Sequence, residues 1–338
     1  MRLAFDSRPL LDSRGVGRYA RCLLEALRDT ADAGTKIVET HRPVSADVFH
    51  SPWMDGVMLN CPCPMVVTVH DLAALKRRSE YLRAGVRMRL RQLAVQRAVR
   101  VIAPTKALAR DAVERLGLAE EGVVVIPEAS DPVMYPRAAP VIAEARARYR
   151  LPERYLLWVG SLEHPDPSKH VAELAATARE MPLVLVGPAS RWAYELPGVI
   201  VTGHVPDEQL AAIYSGAHAL LIPSDDEGFG LTAVEALSCG TPVVACDARA
   251  RREVLQERAM FVAVGDLKGL IDAGQRAQRP APAPPRWSWT DAAEATWSVY
   301  EQALAQLEGP RPLFRRLRRP AAPPPGTAMA RPQWGRPQ

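Results

Sequence analysis

Two glutamates and two glycines stand close together at residues 227–235, where a predicted strand leads into a predicted helix. The apolar run Ala219–Pro223 is typical of a buried strand, and residues 231–238 follow the period of a helix that Gly240 can end. The first turn of a helix carries unpaired N–H groups and binds anions, most often phosphate. Carboxylates accept hydrogen bonds in pairs, which suits the vicinal hydroxyls of a sugar or a ribose. Glu227 and Glu235 therefore indicate a site for phosphate and polyol together, as in a nucleotide sugar.

The order of residues in this stretch is more specific than its spacing, which alone would also fit a ligand-free turn and a solvated Glu235. Glu-Gly-Phe-Gly-Leu-x-x-x-Glu-Ala, followed by Gly-Thr-Pro-Val-Val, resembles the nucleotide-sugar motif of glycosyltransferase family 4, the retaining enzymes of the GT-B fold. The resemblance implies that Glu227 contacts hydroxyls of the donor sugar and that Glu235 holds the ribose. It also implies that the intervening backbone receives the diphosphate, over Gly228, Phe229, Gly230, Leu231 and Thr232.

A second glycine pair, Gly15 and Gly17, opens a predicted helix near the N-terminus. The string Gly15–Ala20 fits the dinucleotide-binding pattern Gly-x-Gly-x-x-Ala. Eight residues separate Asp6, at the end of the first predicted strand, from Gly15, whereas that pattern needs its first glycine directly after the strand. The family resemblance implies instead that Gly15 and Gly17 lie over the donor phosphates or the acceptor. A simple loop leading into the helix is the remaining alternative.

Histidines follow two of the predicted strands. His70 and Asp71 come directly after the apolar run Met65–Val69, and His50 ends the preceding strand. Active groups in open α/β sheets gather at the carboxyl ends of strands. Val-Thr-Val-His-Asp-Leu also matches the family, which implies that His70 lines the cleft and touches the donor sugar near the reacting carbon. A structural role is the alternative, and His50 is the weaker candidate, for the acceptor side.

The second half of the chain supplies further candidate contacts by the same resemblance. Ser161 follows a predicted strand, and Lys169 lies in the loop where relatives carry an Arg/Lys pair that neutralises the diphosphate. Ser168 stands where an arginine is frequent, and a lone lysine supplies a point charge rather than a bidentate fork. His204 and Val205 occupy the turn that holds the nucleotide base through backbone groups.

Predicted strands and helices alternate twice along the 338 residues, which suits two domains. With the resemblance, this predicts an α/β protein of GT-B architecture, with two Rossmann-like α/β/α domains facing across a cleft. We expect an N-terminal, acceptor-side domain at 1–134 and a nucleotide-sugar-binding domain at 150–279. A Pro-rich linker at 280–287 then leads to a helix at 288–308 that crosses back to the N-terminal domain.

The formal net charge of +5 is unevenly distributed. Residues 309–338 hold seven arginines and no acid, and without them 36 basic residues face 38 acidic ones. We therefore predict a disordered basic Pro/Arg tail and no nucleic-acid binding. Residues 76–100 hold nine basic residues and one acid, Glu80, on a predicted amphipathic helix with Leu82, Val86, Leu90 and Leu93 along one face. This segment is either a solvated face packed on the sheet or, with the tail, a surface attracted to an anionic membrane.

Together these features predict a retaining glycosyltransferase that moves a sugar from a nucleotide-diphosphate donor to an acceptor hydroxyl of a saccharide or lipid-linked glycan. Mannose from GDP-mannose is suggested by family frequency alone. No metal and no other cofactor are expected, since no Asp-x-Asp occurs. The five cysteines, without zinc or redox spacing, and the lack of a signal peptide or spanning segment predict a cytoplasmic protein, peripheral on the inner membrane face in the second interpretation. A sugar-nucleotide epimerase, an NAD-dependent Rossmann enzyme and an inactive donor-binding protein are the alternatives.

Overall fold

The computed structural model describes residues 1–72, 78–225 and 227–308, with residues 78–84, 307 and 308 described by their backbone alone. The predicted tail at 309–338 therefore lies outside the described residues. Within them the chain forms two six-stranded parallel sheets with helices packed on both faces of each. This confirms the prediction of two Rossmann-like α/β domains.

The N-terminal domain is built on a sheet with the strand order β2-β1-β3-β4-β5-β6. Its strands are β1 (Arg2–Phe5), β2 (Lys36–Glu39), β3 (Val48–Ser51), β4 (Met65–Thr68), β5 (Arg100–Ala103) and β6 (Val123–Val125). Its helices are α1 (Gly15–Asp29), α2 (Arg78–Val95) and α3 (Lys106–Leu116), and a helix α4 (Ala139–Tyr149) follows before the second sheet. The order of strands reverses between β1 and β3, which makes that position a topological switch point.

The C-terminal domain has the strand order β12-β11-β10-β7-β8-β9, with its switch point between β7 and β10. Its strands are β7 (Leu156–Val159), β8 (Leu183–Val186), β9 (Val199–Val201), β10 (Ala219–Ile222), β11 (Val243–Cys246) and β12 (Ala259–Val262). Its helices are α5 (Val171–Ala176), α6 (Arg191–Tyr194), α7 (Asp207–Gly216), α8 (Leu231–Ser238), α9 (Arg249–Leu255) and α10 (Leu267–Gln275). The last helix, α11 (Trp289–Glu308), follows the linker.

Most elements form where the sequence patterns place them. The central strands β3, β4, β8, β10 and β11 are buried along their whole length, as continuous apolar runs in parallel sheets are. Helix α10 was not predicted, although Asp266 caps it by accepting a hydrogen bond from the Gly269 N–H at 2.9 Å. An aspartate directly before a helix is a common N-cap, so this start could have been recognised in the sequence.

Helix α11 crosses back to the N-terminal domain, as predicted. Ser288 caps its start, with the Asp291 N–H donating to Ser288 Oγ at 3.0 Å and Ser288 Oγ donating to Asp291 Oδ2 at 2.6 Å. Trp289, Ala293 and Tyr300 are buried in the same apolar cluster as Leu23 and Leu27 of α1. The core of the first sheet is therefore completed by the last described helix of the chain.

Helix α2 corrects one prediction. Met88, Ala94 and Val95 are its buried residues, whereas the predicted apolar face is exposed, at 73% for Val86, 44% for Leu90 and 42% for Leu93; Leu82 belongs to the residues described by backbone alone. The helix is broken at Gly85, with φ 47° and ψ −128°. The residues before and after Gly85 therefore do not share one continuous helical face, and the apolar face predicted from the sequence is not the face that is buried.

Candidate functional site

A cavity of about 220 Å³ lies at the switch point of the C-terminal sheet and is closed on its other side by α1; we call it the first cavity. The ends of β7 and β10 and the start of α8 line it. Ligands of open α/β sheets bind at this position. The structure brings nine predicted site residues together here: Gly15, Ser161, Lys169, His204, Val205, Glu227, Leu231, Thr232 and Glu235.

The N-terminus of α8 points into the first cavity. Gly230 precedes the helix with φ 88°, a left-handed conformation that favours glycine. Among the described residues, the N–H groups of Leu231 and Thr232 have no backbone acceptor, since the first intrahelical bond runs from Ala233 N to Gly230 O. These two N–H groups and the helix dipole make an anion site. A Cβ on Gly15, at the start of α1, would lie 3.9 Å from Leu231 Cδ1, so two helix N-termini meet here.

Glu227 is held at the edge of the first cavity by a chain of hydrogen bonds from the C-terminal domain. Its Oε1 accepts from Ser224 Oγ at 3.2 Å, and the fully buried Arg251 donates to the same Ser224 Oγ at 2.7 Å and to Ser224 O at 2.6 Å. Its Oε2 is buried without a hydrogen bond among the described residues. Nothing in the sequence motif pointed to Arg251, which acts on Glu227 through Ser224.

Glu235 is buried inside α8, and its two oxygens have different surroundings. Oε2 accepts from the Tyr214 hydroxyl at 3.2 Å. Oε1 lies 2.9 Å from Nε of Arg18 but off the N–H direction, so the pair is ionic without a hydrogen bond. Burial raises the pKa of the Glu235 carboxyl to about 7, while Arg18 and then Tyr214 oppose that rise. A buried carboxylate oxygen without a hydrogen bond is a place where a ligand hydroxyl would gain most.

Lys169 reaches the first cavity from a 3-10 turn, Pro167–Lys169, that is tied to the loop after β10. Asp166 caps this turn by accepting from Ser168 N at 2.9 Å. His170 then bonds to Asp225 through Nε2 at 2.6 Å, and Asp225 N donates to Ser168 O at 3.0 Å. No carboxylate of the described residues pairs with the Lys169 ammonium. Its positive charge therefore belongs to the same cavity as the first two amides of α8.

Two arginines of the N-terminal domain also line the first cavity, and the sequence interpretation missed both. Arg14, just before α1, pairs with Asp12, and Nη2 of Arg14 lies 2.5 Å from Oδ2 of that aspartate. Arg18, in the second turn of α1, is only 8% exposed and lies among three carboxylates. The sequence motif at 227–235 lies in the C-terminal domain and therefore does not indicate which charged side chains of the N-terminal domain border the same cavity.

The turn after β9 forms the far wall of the first cavity. Val205 is buried, His204 is exposed, and Asp207 begins α7. Both His204 and Val205 line the cavity, as the assignment of a base-binding turn requires. Their role as base contacts stays a prediction.

His70 lines neither this cavity nor the second one described below. Its Nδ1 lies 2.9 Å from Glu128 Oε1 and its Nε2 lies 2.8 Å from Pro52 O, so both ring nitrogens bond to the protein. Burial would lower the pKa of His70, but the hydrogen bond and charge of Glu128 outweigh it and raise that pKa. The predicted contact between His70 and the donor sugar stays a prediction.

His50 is structural in this arrangement. Its ring is fully buried and bonds to Tyr300 and to Thr68, and burial lowers its pKa to about 3. It links β3 and β4 to the crossing helix α11 and does not line either cavity. The acceptor-side role considered for His50 is therefore replaced by a role in the core.

Glycines at two predicted positions allow close backbone approaches rather than contacts with the first cavity. A Cβ on Gly228 would lie 1.5 Å from His70 O, across the boundary between the domains. A Cβ on Gly17 would lie 1.8 Å from Asp12 O, under the turn that precedes α1. Phe229 is buried against Trp287, with ring centroids 5.5 Å apart. Gly17 and Phe229 pack against other parts of the protein and do not line the first cavity, and their predicted ligand contacts stay predictions.

A second cavity, of about 400 Å³, lies on the other side of Glu227 and Gly228. The N-terminal domain contributes Leu72, Leu108 and Asp111, and the C-terminal domain contributes Asp247 and the start of α9. The two domains are fastened beside it. Thr105 Oγ1 donates to Gly228 O at 3.0 Å, and Glu253 accepts from the N–H groups of Lys106 and Ala107 at the start of α3.

Glycosyltransferase models match both domains. The model described as "Glycosyltransferase Family 4" matches residues 5–132, and the one described as "Glycosyl transferases group 1" matches residues 153–278. The D-inositol 3-phosphate glycosyltransferase of Mycolicibacterium smegmatis is 30% identical over 323 residues, covering 82% of this chain and 72% of that protein. The chain belongs to glycosyltransferase family 4.

Solved structures similar to this glycosyltransferase support the same fold. Sucrose-phosphate synthase from Thermosynechococcus elongatus superposes with a TM-score of 0.65 at 21% identity, over 91% of this chain and 97% of that one. Anabaena HepE, solved in complex with UDP-glucose, superposes with a TM-score of 0.62 at 18% identity, over 91% and 99%. These likenesses confirm the GT-B architecture. The domain boundaries at 134, 150 and 279 stay predictions.

Three further features bear on the predictions made from the sequence. Residues 6–14, including a 3-10 turn at Arg8–Leu11, separate β1 from α1 of this glycosyltransferase, so Gly15 does not follow the strand as the dinucleotide pattern requires. In the described part of the chain, no three His, Cys, Asp or Glu residues are grouped to hold a metal ion. None of the described helices combines the length and apolar character of a membrane span. The expectation of no metal stays a prediction.

Proposed function

We propose that this glycosyltransferase moves a sugar from a nucleoside diphosphate sugar to an acceptor hydroxyl, with retention of the anomeric configuration. The observation that carries the proposal is Oε1 of Glu235. It is a buried acceptor without a hydrogen bond from any described residue, in a cavity that also presents the Leu231 and Thr232 amides and the Lys169 ammonium. A ligand that satisfies all of these groups combines a diol with an anion, as a nucleoside diphosphate does.

The donor would lie along the first cavity with its ribose on Glu235 and its diphosphate on the start of α8 and Lys169. The sugar would then reach Glu227, whose buried Oε2 is a second acceptor without a hydrogen bond among the described residues. His204 and Val205 would border the base. The HepE complex with UDP-glucose is a protein of the same fold with such a donor bound.

The chemistry in this arrangement is the departure of a diphosphate. The bond between the anomeric carbon and the phosphate oxygen breaks, the acceptor oxygen forms the new bond from the same face, and the acceptor proton passes to the leaving phosphate. Lys169, Arg14 and the two helix N-termini would stabilise the negative charge that develops on that phosphate. Glu227 orients the sugar hydroxyls in this proposal and forms no covalent intermediate.

The acceptor would enter through the second cavity, because Glu227 borders both spaces. A saccharide or a lipid-linked saccharide is the proposed acceptor class. The M. smegmatis relative is named for D-inositol 3-phosphate, a phosphorylated polyol. The transferred hexose, with mannose among the candidates, is to be identified by a screen of donors.

A peripheral contact with an anionic membrane, through residues 76–100 and the tail, is part of the proposal. The exposed Val86, Leu90 and Leu93 of α2 support it, because Arg87 and Arg89 are exposed beside them. Apolar and basic side chains together favour an anionic lipid surface. Sedimentation with phosphatidylglycerol vesicles should exceed sedimentation with phosphatidylcholine vesicles, and a Leu90→Asp/Leu93→Asp variant should lose the difference. Equal sedimentation with both lipids would remove the membrane from the proposal.

The direct test of the donor is a thermal-shift screen of UDP, GDP, ADP and dTDP, followed by transfer assays with the corresponding sugars. A diphosphate at 100 times its Kd should add about 2.7 kcal/mol of stability. The anomeric configuration of the product, read by NMR, then decides retention. A protein that binds none of the four diphosphates would contradict the proposal.

The same assays separate the alternatives. An epimerase would change the donor sugar without an added acceptor, and an NAD-dependent enzyme would bind NADH in titration. An inactive donor-binding protein would bind a diphosphate and transfer nothing to any acceptor. Each of these outcomes differs from acceptor-dependent release of nucleoside diphosphate, which is the expected result.

A further inference from the structure

We propose that Arg18 is a positioning residue for donor binding: it reaches from α1 across the cleft and keeps Glu235 as the carboxylate that a ribose diol requires. The inference rests on the proposed function, since it assigns Glu235 to the ribose. It adds a residue of the N-terminal domain to a site otherwise attributed to the C-terminal domain. It also makes ribose binding depend on closure of the two domains.

The guanidinium of Arg18 contacts three carboxylates from different parts of the chain. Nε lies 2.9 Å from Glu235 Oε1, Nη2 lies 2.5 Å from Asp207 Oδ1, and Nη1 lies 3.2 Å from Asp131 Oδ2. Glu235 and Asp207 belong to α8 and α7 of the C-terminal domain, whereas Arg18 belongs to α1. The ion pair with Glu235 therefore exists only when the domains are brought together.

The position of α1 is fixed by packing, which restricts where the Arg18 side chain can reach. Gly17 lets the helix approach Asp12 O so closely that a Cβ would lie 1.8 Å away. Gly15 lies against Leu231 of α8. The Arg18 side chain itself is 10% exposed. Its planar guanidinium presents a different nitrogen to each of three carboxylates, whereas a lysine ammonium would have to meet all three from a single nitrogen.

A ligand can take Glu235 Oε1 without leaving Arg18 unpaired. The hydrogen bonds from Nη2 to Asp207 and from Nη1 to Asp131 remain when a ribose hydroxyl approaches that oxygen. Removing the sole partner of a buried charge is costly, but here two partners stay in place. The approach of Nε to Oε1 lacks hydrogen-bond geometry, so the incoming hydroxyl displaces no hydrogen bond.

The protonation state of Glu235 decides how many acceptors the ribose meets. A carboxylate offers acceptors on both oxygens, whereas a carboxylic acid spends one as a donor. Burial raises the pKa of Glu235 to about 7, Arg18 and Tyr214 lower it, and Asp131 and Asp207 raise it. The thiols of Cys22 and Cys239 complete the ionisable surroundings. Without Arg18 the remaining charged neighbours are carboxylates, so the pKa of Glu235 would rise further and the acid form would prevail at pH 7.

The test compares Arg18→Gln and Arg18→Lys with Arg28→Gln, a control on the same helix whose partner Glu39 lies on the exposed surface. The carboxyl carbon of Glu235 is followed by NMR in protein labelled with [13C]glutamate, with Glu235→Gln to assign the signal. In the unliganded protein the pKa of Glu235 should rise in Arg18→Gln, rise less in Arg18→Lys and stay unchanged in Arg28→Gln. An unchanged pKa in Arg18→Gln would overturn the inference without touching the proposed function.

The second readout is the affinity for the nucleoside diphosphate that stabilises the wild type most, measured by calorimetry from pH 6 to pH 9. At pH 7, Arg18→Gln should bind about fivefold more weakly for the first unit by which the pKa of Glu235 rises above 7, and about tenfold more weakly for each further unit. The difference from wild type should shrink as the pH passes the new pKa. A loss of equal size at every pH would mean that Arg18 only holds the cleft together, and would overturn the inference. A wild type that binds no diphosphate would instead remove the proposed function.

Discussion

The two cavities meet at Glu227 but are built in different ways. The first cavity presents polar groups that lack hydrogen bonds within the described residues, namely the ion-paired Glu235 Oε1, the amides at the start of α8 and the Lys169 ammonium. Three acids that line only the second cavity are instead engaged with the protein. Asp225 bonds to His170, Asp247 pairs with Arg252, and Asp111 lies 3.9 Å from Arg115.

This difference shows how much each cavity determines about its ligand. Polar groups without hydrogen bonds select a ligand that carries matching donors or acceptors, because leaving such groups buried and unsatisfied costs free energy. Side chains that are already paired within the protein restrict the shape of a ligand but do not require particular polar groups on it. The first cavity therefore specifies a diol next to an anion, while the second specifies a volume of about 400 Å³.

The largest effect should come from removing the positive charge of the first cavity. Lys169→Ala should lower kcat/KM for the donor about 100- to 1000-fold, because a preorganised group that meets developing charge is worth that much. Glu227→Ala should lower turnover comparably. Steady-state kinetics would measure both, with Lys268→Ala, an exposed lysine paired with Asp272, as the control. Unchanged turnover in Lys169→Ala and Glu227→Ala would contradict the assignment of the first cavity.

Glu235→Gln should change how stability depends on pH. The pKa of Glu235 is raised to about 7 in the folded protein from 4.5, so its protonation favours folding. That contribution is complete below pH 4.5 and is lost as the pH rises through 7. Relative to Glu235→Gln, the wild type should therefore lose up to about 3 kcal/mol of unfolding free energy between pH 4.5 and pH 8. Denaturant titrations at several pH values measure this, and parallel curves for the two proteins would contradict the raised pKa.

The wall between the cavities should be sensitive to a single methyl group. Gly228→Ala would force its Cβ against His70 O and should cost about 1–3 kcal/mol, the usual penalty of overpacking. Activity should fall with stability, because the clash separates the domains that form both cavities. Gly122→Ala is the matched control, since nothing lies within 4 Å of its Cβ. Thermal unfolding that shifts equally in both variants would show that the approach of Gly228 to His70 does not hold the cleft closed.

The smallest effect should be confined to the second cavity. Ala107→Leu adds bulk to its wall and should raise the acceptor KM about fivefold, equivalent to about 1 kcal/mol, while the affinity for nucleoside diphosphate stays unchanged. Initial rates with varied acceptor and calorimetry with the diphosphate measure the two quantities. A weaker diphosphate affinity with an unchanged acceptor KM would reverse the assignment of the two cavities.

Sequence patterns anticipated the parts of this site that are local. The strand Ala219–Ile222, the helix Leu231–Ser238 and the glycine between them follow from apolar runs and backbone preferences within one short stretch. Arg18 could not be found in this way, because its partner Glu235 is 217 positions along the chain and lies beside it only through the placement of one domain against the other. Arg251 was missed because a buried arginine that orients a serine leaves no spacing pattern.

The crossing helix and helix α2 show the same limit from opposite directions. The crossing helix was predicted after the Pro-rich linker, and it forms there, at Trp289–Glu308. In α2 the helix was predicted correctly, but the break at Gly85 changes which residues face the core, so the predicted buried face was wrong. A glycine in the sequence does not indicate such a break by itself, since its backbone freedom is compatible with a helix interior as well as with a turn.

The position of α11 also sets an order of events during synthesis. The N-terminal sheet is made first, but Trp289, Tyr300 and Ala303 belong to its core. Residues up to 308 must therefore leave the ribosome before the apolar face of this sheet can be covered. The apolar clusters of the C-terminal domain, by contrast, are formed within residues 134–277 and the linker. The C-terminal domain, which is translated second, can therefore finish folding first, while the N-terminal sheet keeps apolar surface exposed until α11 has been made.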